Sequence, residues 1–403
     1  MRARNLAVAF VVGGMVWIGG ASGAWADTQT SRRIERAIPL ETGQTLRVDN
    51  LLGQVQVRPA DGHPGVTAIV HASADQSTQA EQLADSVRLA LTGSSSQPHL
   101  AVVYPLSQYR VYRYTGPMND STHDEHGSLV NGVATFLKVF WGGGNTHIRY
   151  DGQPVDIVTG DSHKGVSLAV NLVIRLPENA VLDLDNQVGL VSVEDVVGDT
   201  RVAVERGSIA TVRTRGPLRA TTGSGVITIA DQQGDTVLKS GSGSIRVRNL
   251  VGSIRTRQGS GDFTGRQLQG ALHGRAGSGD FELQDVQGTL DIRTGSGDIT
   301  GRELHQIGSL RLTSGSGDTT LSGDLSEVQT LSVKSGSGDI ELATSRAPSM
   351  HVTAKTSSGD IDANWPGDRN RQSHRGYFSA VYGSGSHAGD IATGSGDIAL
   401  TIH

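Results

Sequence analysis

Residues 276–300 read AGSGDFELQDVQGTLDIRTGSGDIT, and the stretch returns to its opening motif after 18 residues. Gly277-Ser278-Gly279-Asp280-Phe281 becomes Gly295-Ser296-Gly297-Asp298-Ile299. Between the two motifs, apolar and polar residues alternate (Phe281, Leu283; Leu290, Ile292), which is the period of a half-buried strand. A single further glycine, Gly288, stands seven residues before the second motif. Glycine supplies the positive φ that tight corners need, so the unit reads as strand, corner, strand, corner.

Outward from this stretch the frame continues. Gly-Ser-Gly begins at Gly223, Gly241, Gly259, Gly277, Gly295, Gly315, Gly336 and Gly394, with Ser357-Ser358-Gly359 as a variant. The steps are 18 four times, then 20, 21 and 21, with 37 to the last motif. Backwards, the final turn glycine survives as Gly207 and Gly189, and the second glycine recurs from Gly198 to Gly308. One apolar column reads Val191, Ile209, Ile227, Ile245, Phe263, Phe281, Ile299, Thr319, Ile340, Ile361 and Ile398. Another runs Leu218, Thr236, Ile254, Leu272, Leu290, Leu310, Leu331 and Val352, and a third Ala220, Leu238, Thr256, Gly274, Ile292, Leu312 and Val333.

A period near 20 built of strands and corners predicts an all-β fold, a parallel β-helix or β-solenoid with rungs of about 18–21 residues, in which like residues stack about 4.8 Å apart. A left-handed hexapeptide helix needs an apolar residue every six, and a calcium β-roll needs nine-residue units. Neither pattern fits the uneven columns here. Right-handed connections dominate between parallel strands, which favours the right-handed form. Residues 46–58 (Leu46, Val48, Asn50, Gly53, Val55, Val57) match the frame of Leu182, Leu184, Asn186, Gly189, Val191 and Val193, so the strand pattern starts early and is interrupted. The segment 75–91 predicts a short helix with Ala80, Leu83, Ala84, Val87 and Leu91 on one face, placed to cover an open stack end.

Composition sets limits. The 54 glycines among 403 residues are about twice the usual share, without a collagen period. There is no Cys, which excludes disulfides, thiolate metal sites and cysteine catalysis. Arg2 and Arg4, the apolar run from Leu6 to Gly20, and Ala24-Trp25-Ala26 before Asp27 read as a secretory signal over 1–26. The run is short of the ~20 residues a spanning helix needs, and no later segment reads as one. Its removal leaves 33 basic against 40 acidic residues, a formal charge of −7. The expected organisation is therefore 1–26 signal peptide, 27–103 N-terminal strands and capping helix, 104–163 an aromatic and His-containing insert, and 164–403 the repeat domain. The expected location is outside the cytoplasm, periplasmic or at the cell surface.

A signal, early strands, a short helix and GSGDI-type repeats (295–299, 336–340, 394–398) together resemble the bacterial putative-adhesin family of GSGD-type β-strand-repeat domains, a domain of unknown function. The related head-domain auto-transporter adhesins are similar. The resemblance covers about residues 34–402 apart from the insert. It implies the repeat fold and an adhesive or envelope role, and it supplies no catalytic residues.

Candidate chemistry follows from the columns. Asp262, Asp280, Asp298, Asp318, Asp339, Asp360 and Asp397 repeat at the corner; each is expected to accept backbone N–H bonds there, with calcium bridging as the sharper alternative. The repeating Ser260, Ser278 and Ser296 are structural by the same argument, since a nucleophile is a singular residue. His123-Asp124-Glu125-His126, with His147 or His163, lacks a metal-binding helical frame and reads as a polar loop. Residues 195–275 carry 12 Lys/Arg against 6 Asp/Glu, and 276–363 carry 6 against 13. Arg201, Arg219 and Arg255 share one repeat position, with Arg213 and Arg246 nearby, as a candidate polyanion track. Residues 104–163 hold eight of the 17 aromatics, and Tyr109, Tyr112, Tyr114, Phe140 and Trp141 are candidate interface residues. The expected protein is non-enzymatic, without cofactor or metal. Its expected partner is an acidic polysaccharide, another envelope component or an envelope protein, and not nucleic acid. The alternatives are a carbohydrate-active enzyme, such as a polysaccharide lyase or hydrolase, and a periplasmic partner of a membrane signalling protein.

Overall fold

A computed structural model of the protein describes residues 28–114, 144–159, 164–365 and 369–402. The signal segment 1–26, His123-Asp124-Glu125-His126, Phe140, Trp141 and His163 lie outside the described residues. Among the described residues the fold is mostly β, 72% strand with one short helix, and it divides into two compact units, residues 1–215 and 216–403.

In the C-terminal unit each repeat pairs in parallel with its neighbour. Ile227, Ile245, Phe263, Phe281, Ile299, Thr319 and Ile340 follow one another in register and are all buried. The column before the corner does the same, from Leu218 through Thr236, Ile254, Leu272, Leu290 and Leu310 to Leu331. Burying each Ile, Leu or Phe contributes about 1.5–3 kcal/mol, and each repeat adds two or three. Size is balanced locally within the interior. Phe263 and Phe281 pack with ring centroids 5.6 Å apart, and Phe281 fills the space over Gly274.

The longer repeats place their extra residues outside the regular register. The 20-residue repeat takes them as a bulge at Gln306–Gly308, with Ile307 turned into the core. The next repeat takes them in the turn after Gly323, where Leu325 and Val328 are buried.

The order of repeats departs from the chain at its end. Strand His387–Ser395 lies between Thr330–Ser337 and Met350–Ser358, parallel to both, and Ile398–Ile402 lies between Ile340–Thr344 and Ile361–Ala363. The 37-residue gap is thus not one missed repeat. Residues 369–381 form an antiparallel hairpin whose strand Tyr377–Val381 pairs, also antiparallel, with Met350–Ser358. That hairpin covers an edge that would otherwise offer unpaired N–H and C=O groups.

A third corner is present that glycine did not mark. Asp195, Arg213, Asp231, Asn249, Gln267, Asp285 and Glu303, 18 residues apart, all hold φ between 53° and 58°. Asn and Asp tolerate this left-handed conformation better than other residues, which accounts for four of the seven.

The N-terminal unit bears out the early frame. Leu46, Val48 and Asn50 stand beside Leu182, Leu184 and Asn186, and Val55 and Val57 beside Val191 and Val193. Strand Val166–Leu176 continues the sheet through Val55–Pro59 on one edge and, antiparallel, through Gly65–Ala74 and then Thr28–Ala37 on the other. The helix spans only Ser77–Asp85 and buries Ala80, Leu83 and Ala84. It packs on the strands Thr28–Ala37 and Gly65–Ala74, where Arg32 reaches the carbonyls of Ala84, Asp85 and Val87 at 3.3–3.4 Å. Leu91 belongs instead to strand Arg88–Ser94, antiparallel to Gln97–Val103. The helical reading ran on because Leu83, Val87 and Leu91 also satisfy an i, i+4 spacing, while Leu89 and Leu91 carry the period of two that prevails.

Candidate functional site

The Gly-Ser-Gly-Asp corner is built from inside outward. The residue just before each motif is turned inward, and its hydroxyl donates to a corner carbonyl: Ser240 to Gly243 O (3.0 Å), Thr294 to Gly279 O (3.2 Å), Ser314 to Gly297 O (3.1 Å), Ser335 to Gly317 O (3.2 Å), Thr393 to Gly338 O (2.9 Å) and Thr356 to Gly396 O (2.9 Å). Ala276 has no hydroxyl, and there Gln258 from the preceding repeat donates to Gly261 O at 3.1 Å. A buried backbone acceptor is thereby satisfied at successive corners. The motif serines outside it, Ser242, Ser260, Ser278, Ser296, Ser316, Ser337, Ser395 and Ser358, form an exposed row in continuous register.

The aspartates make a second row, also exposed. Each carboxylate accepts the backbone N–H of the next aspartate: Asp280 to Asp262 (3.1 Å), Asp298 to Asp280 (2.8 Å), Asp318 to Asp298 (2.9 Å), Asp339 to Asp318 (2.8 Å), Asp397 to Asp339 (2.7 Å) and Asp360 to Asp397 (2.8 Å). Carboxylates ~4.8 Å apart in a water-like medium repel by about 1 kcal/mol. An N–H bond to a charged acceptor contributes about 1.5–3 kcal/mol, so the row holds. The expected corner role of the aspartates is what the geometry shows. Among the described residues no three His, Cys, Asp or Glu side chains converge as a metal site.

The five candidate arginines fall in both units, Arg201 and Arg213 in the first and Arg219, Arg246 and Arg255 in the second. Arg201 is held by Asp199 at 2.6 Å, and Arg213 bonds both oxygens of Asp195 at 2.6 and 2.8 Å. Hydrogen bonding to Arg213 holds the Asp195 carboxyl below its usual range. Arg219 and Arg255 are exposed and share a column, but Val237 stands between them. Arg246 sits on a different strand between Thr228 and Thr264. Arg219 and Arg255 thus share the 18-residue position, and the intervening repeat carries valine there. Two residues further on, Lys239, Arg257, Arg275 and Arg293 follow one another without interruption.

Of the three aromatic candidates among the described residues, two are core. Tyr112 is 0% and Tyr114 2% exposed, so neither is available to a partner, whereas Tyr109 is 38% exposed. Tyr104 is the hub, with edge-on contacts to Tyr112 and Tyr150 at 5.8 and 5.9 Å. Its hydroxyl lies 2.9 Å from Leu52 O and 3.1 Å from Asn50 Oδ1. Burial pushes the phenols of Tyr104, Tyr112, Tyr114 and Tyr150 above their ordinary range. Below this cluster Asn50 donates to Asn186 Oδ1 at 2.8 Å and Asn186 to Gly53 O at 3.2 Å.

One polar group was not foreseen. Asp49 pairs with His99 at 2.7 Å and stands beside Asp185, whose carboxyl is raised by burial and then by Asp49. These residues are 136 positions apart in the chain, and only the strand register joins them. His147, by contrast, is exposed and bonded to Asp156 at 2.5 Å.

A repeat protein of parallel-paired β-strands with glycine corners is the class these features define. Residues 156–327 and 324–401 match the family described as toastrack DUF4097. Those segments span more than half of the sequence, and the chain belongs to the toastrack DUF4097 family. The family is one of unknown function. No curated protein matches the chain. A solved structure of a putative cell adhesion protein from Clostridium sporogenes aligns over 94% of this chain and 100% of that one, at 8% identity and a TM-score of 0.17. A likeness of that size carries no structural argument.

Proposed function

We propose that this protein is exported and non-enzymatic, and that its repeats coil as a right-handed β-solenoid presenting a repetitive surface to a component of the cell envelope. The observation that carries the reading is the pair of exposed rows, serine and aspartate, repeated in register along the C-terminal unit. A surface of identical groups at one spacing suits a polymer or another repetitive partner, because weak contacts add along its length. The parallel pairing at steps of one repeat supports the coil, and the segment 1–26 supports export.

The test is fractionation of the tagged full-length chain together with sedimentation on purified envelope. Recovery outside the cytoplasm and co-sedimentation are expected. Cytoplasmic retention, or a soluble fraction that never co-sediments, overturns the reading. Shortening of acidic polysaccharides by the pure protein would overturn its non-enzymatic part.

A further inference from the structure

Lys239, Arg257, Arg275 and Arg293 occupy one outward column in four successive repeats, each beside the next in parallel register. All four are exposed. Arg293 has Asp291 at 3.7 Å, while among the described residues no carboxylate lies within 4.0 Å of the other three. Four cations at ~4.8 Å steps repel one another as the aspartates do. The aspartate row has a backbone N–H in each repeat to offset that repulsion; this row has no comparable acceptor, so folding alone does not account for it.

The surroundings specify the ligand. On one side the row is bordered by the motif glycines and the exposed serine hydroxyls. The glycines cannot carry a side chain, because a Cβ at Gly259, Gly277 or Gly295 would fall 2.4–2.6 Å from the glycine carbonyl of the repeat before. The border is therefore a flat shelf of backbone and hydroxyls. Beyond the corner stands the aspartate row, which repels an anion straying across it and keeps the track narrow. On the other side the flanking column reads Val237, Arg255, His273 and Asp291, so Arg255 adds one more cation beside the row. Guanidinium forks match carboxylates in bidentate geometry, and hydroxyls beside them suit sugar hydroxyls.

We infer that Lys239, Arg257, Arg275 and Arg293 form a track about 14 Å long for a linear, uronate-bearing polysaccharide, one carboxylate to a repeat. The inference rests on the envelope-binding reading for its setting and names the partner chemistry of that same surface.

The experiment titrates the full-length protein with polygalacturonate, comparing wild type with K239E/R257E/R275E and with R246E, whose arginine is exposed on another strand. The triple variant should bind at least about tenfold more weakly and R246E within about twofold, and wild-type binding should fall as salt shortens the Debye length from about 10 Å. Circular dichroism and melting temperature establish that the variants fold; R257Q/R275Q, a milder change, should still weaken binding about threefold or more. No binding by wild type, an unaffected triple variant, or equal weakening by R246E overturns the track. Tighter binding of single-stranded DNA or anionic vesicles than of polygalacturonate overturns the assigned polymer. Envelope sedimentation of the same variants separates the two claims. If wild type and triple variant sediment equally, the envelope reading stands and the track fails. If polygalacturonate binds through the track but the protein never sediments, the track stands and the envelope reading fails.

Discussion

The N-terminal and C-terminal units solve one problem with different side chains. A corner glycine leaves its carbonyl facing the interior, and a buried carbonyl needs a donor. In the N-terminal unit Asn186 supplies it to Gly53, and Asn50 in turn is bonded to Asn186 and to the Tyr104 hydroxyl. In the C-terminal unit the same position, three residues before the last glycine of the corner, is Thr294, Ser314, Ser335 or Thr393, and each hydroxyl reaches a glycine carbonyl of the neighbouring corner. An amide links corner, neighbour and aromatic cluster into one network. A hydroxyl joins its repeat to the neighbouring corner and goes no further, which suits a unit that adds repeats one at a time.

What the units share is the glycine, and the largest expected effect lies there. A Cβ at Gly279, where φ is +133°, would fall 2.2 Å from Gly261 O, and one at Gly189 would fall 1.8 Å from Gly53 O. Neither partner is a side chain that can move aside. Gly279→Ala should therefore cost about 3 kcal/mol or more, or abolish soluble folding. Gly308 has no atom within 4 Å of the added carbon and no positive φ, so Gly308→Ala should stay within about 0.5 kcal/mol. Denaturant melts of the two variants decide the matter, and comparable losses would refute the backbone-stacking argument.

The same contrast shows what was legible in the sequence. Corners marked by glycine, and columns marked by Ile, Leu and Phe, were visible because no other residue type fits a 1.8–2.6 Å approach or a dry interior. The corner at Asp195, Arg213, Asp231 and Gln267 was not, since several polar residues tolerate φ near 55° and none is diagnostic. The insertion of His387–Ser395 between two earlier strands was hidden for a related reason. Its motif Gly394-Ser395-Gly396-Asp397 fits any place in the stack, and what decides its place is the hairpin that covers Met350–Ser358. For the surface, the period of 18 aligns Arg219 with Arg255, but by itself it does not set their column apart from that of Lys239, Arg257, Arg275 and Arg293 two residues on.

Next in size is the amide network. Asn186→Ala removes a donor to Gly53 O and an acceptor for Asn50, both fully buried. The expected loss is about 2–3 kcal/mol in a thermal or denaturant melt. Thr294→Ala removes one hydroxyl bond of 3.2 Å in the C-terminal unit and should cost about 1 kcal/mol. Equal losses would mean that the amide network gives no advantage over an isolated hydroxyl.

The smallest effect should come from the aspartate row, which the N-terminal unit lacks: Leu190 and Ser208 follow its corner glycines Gly189 and Gly207. Asp298 accepts the Asp318 N–H and donates its own N–H to Asp280. Asp298→Ala deletes the acceptor and should cost about 1 kcal/mol. Asp298→Asn keeps an oxygen acceptor and removes one charge from a line of like charges, so attraction to the N–H and repulsion along the row change in opposite directions. Salt separates these two contributions: it screens repulsion between exposed carboxylates more than it weakens a hydrogen bond in contact. If the charge-assisted bond dominates, Asp298→Asn is less stable than wild type at every salt concentration. If repulsion dominates, the variant is more stable at low salt and the gap closes as salt rises. Asp298 has a carboxylate on each side, about 1 kcal/mol apiece before screening, and at a Debye length of about 8 Å that repulsion falls below the bond's strength of about 1.5–3 kcal/mol, so the first outcome is expected at physiological salt. The second would mean that the aspartate row, like the Lys239–Arg293 row, leaves its charge uncompensated.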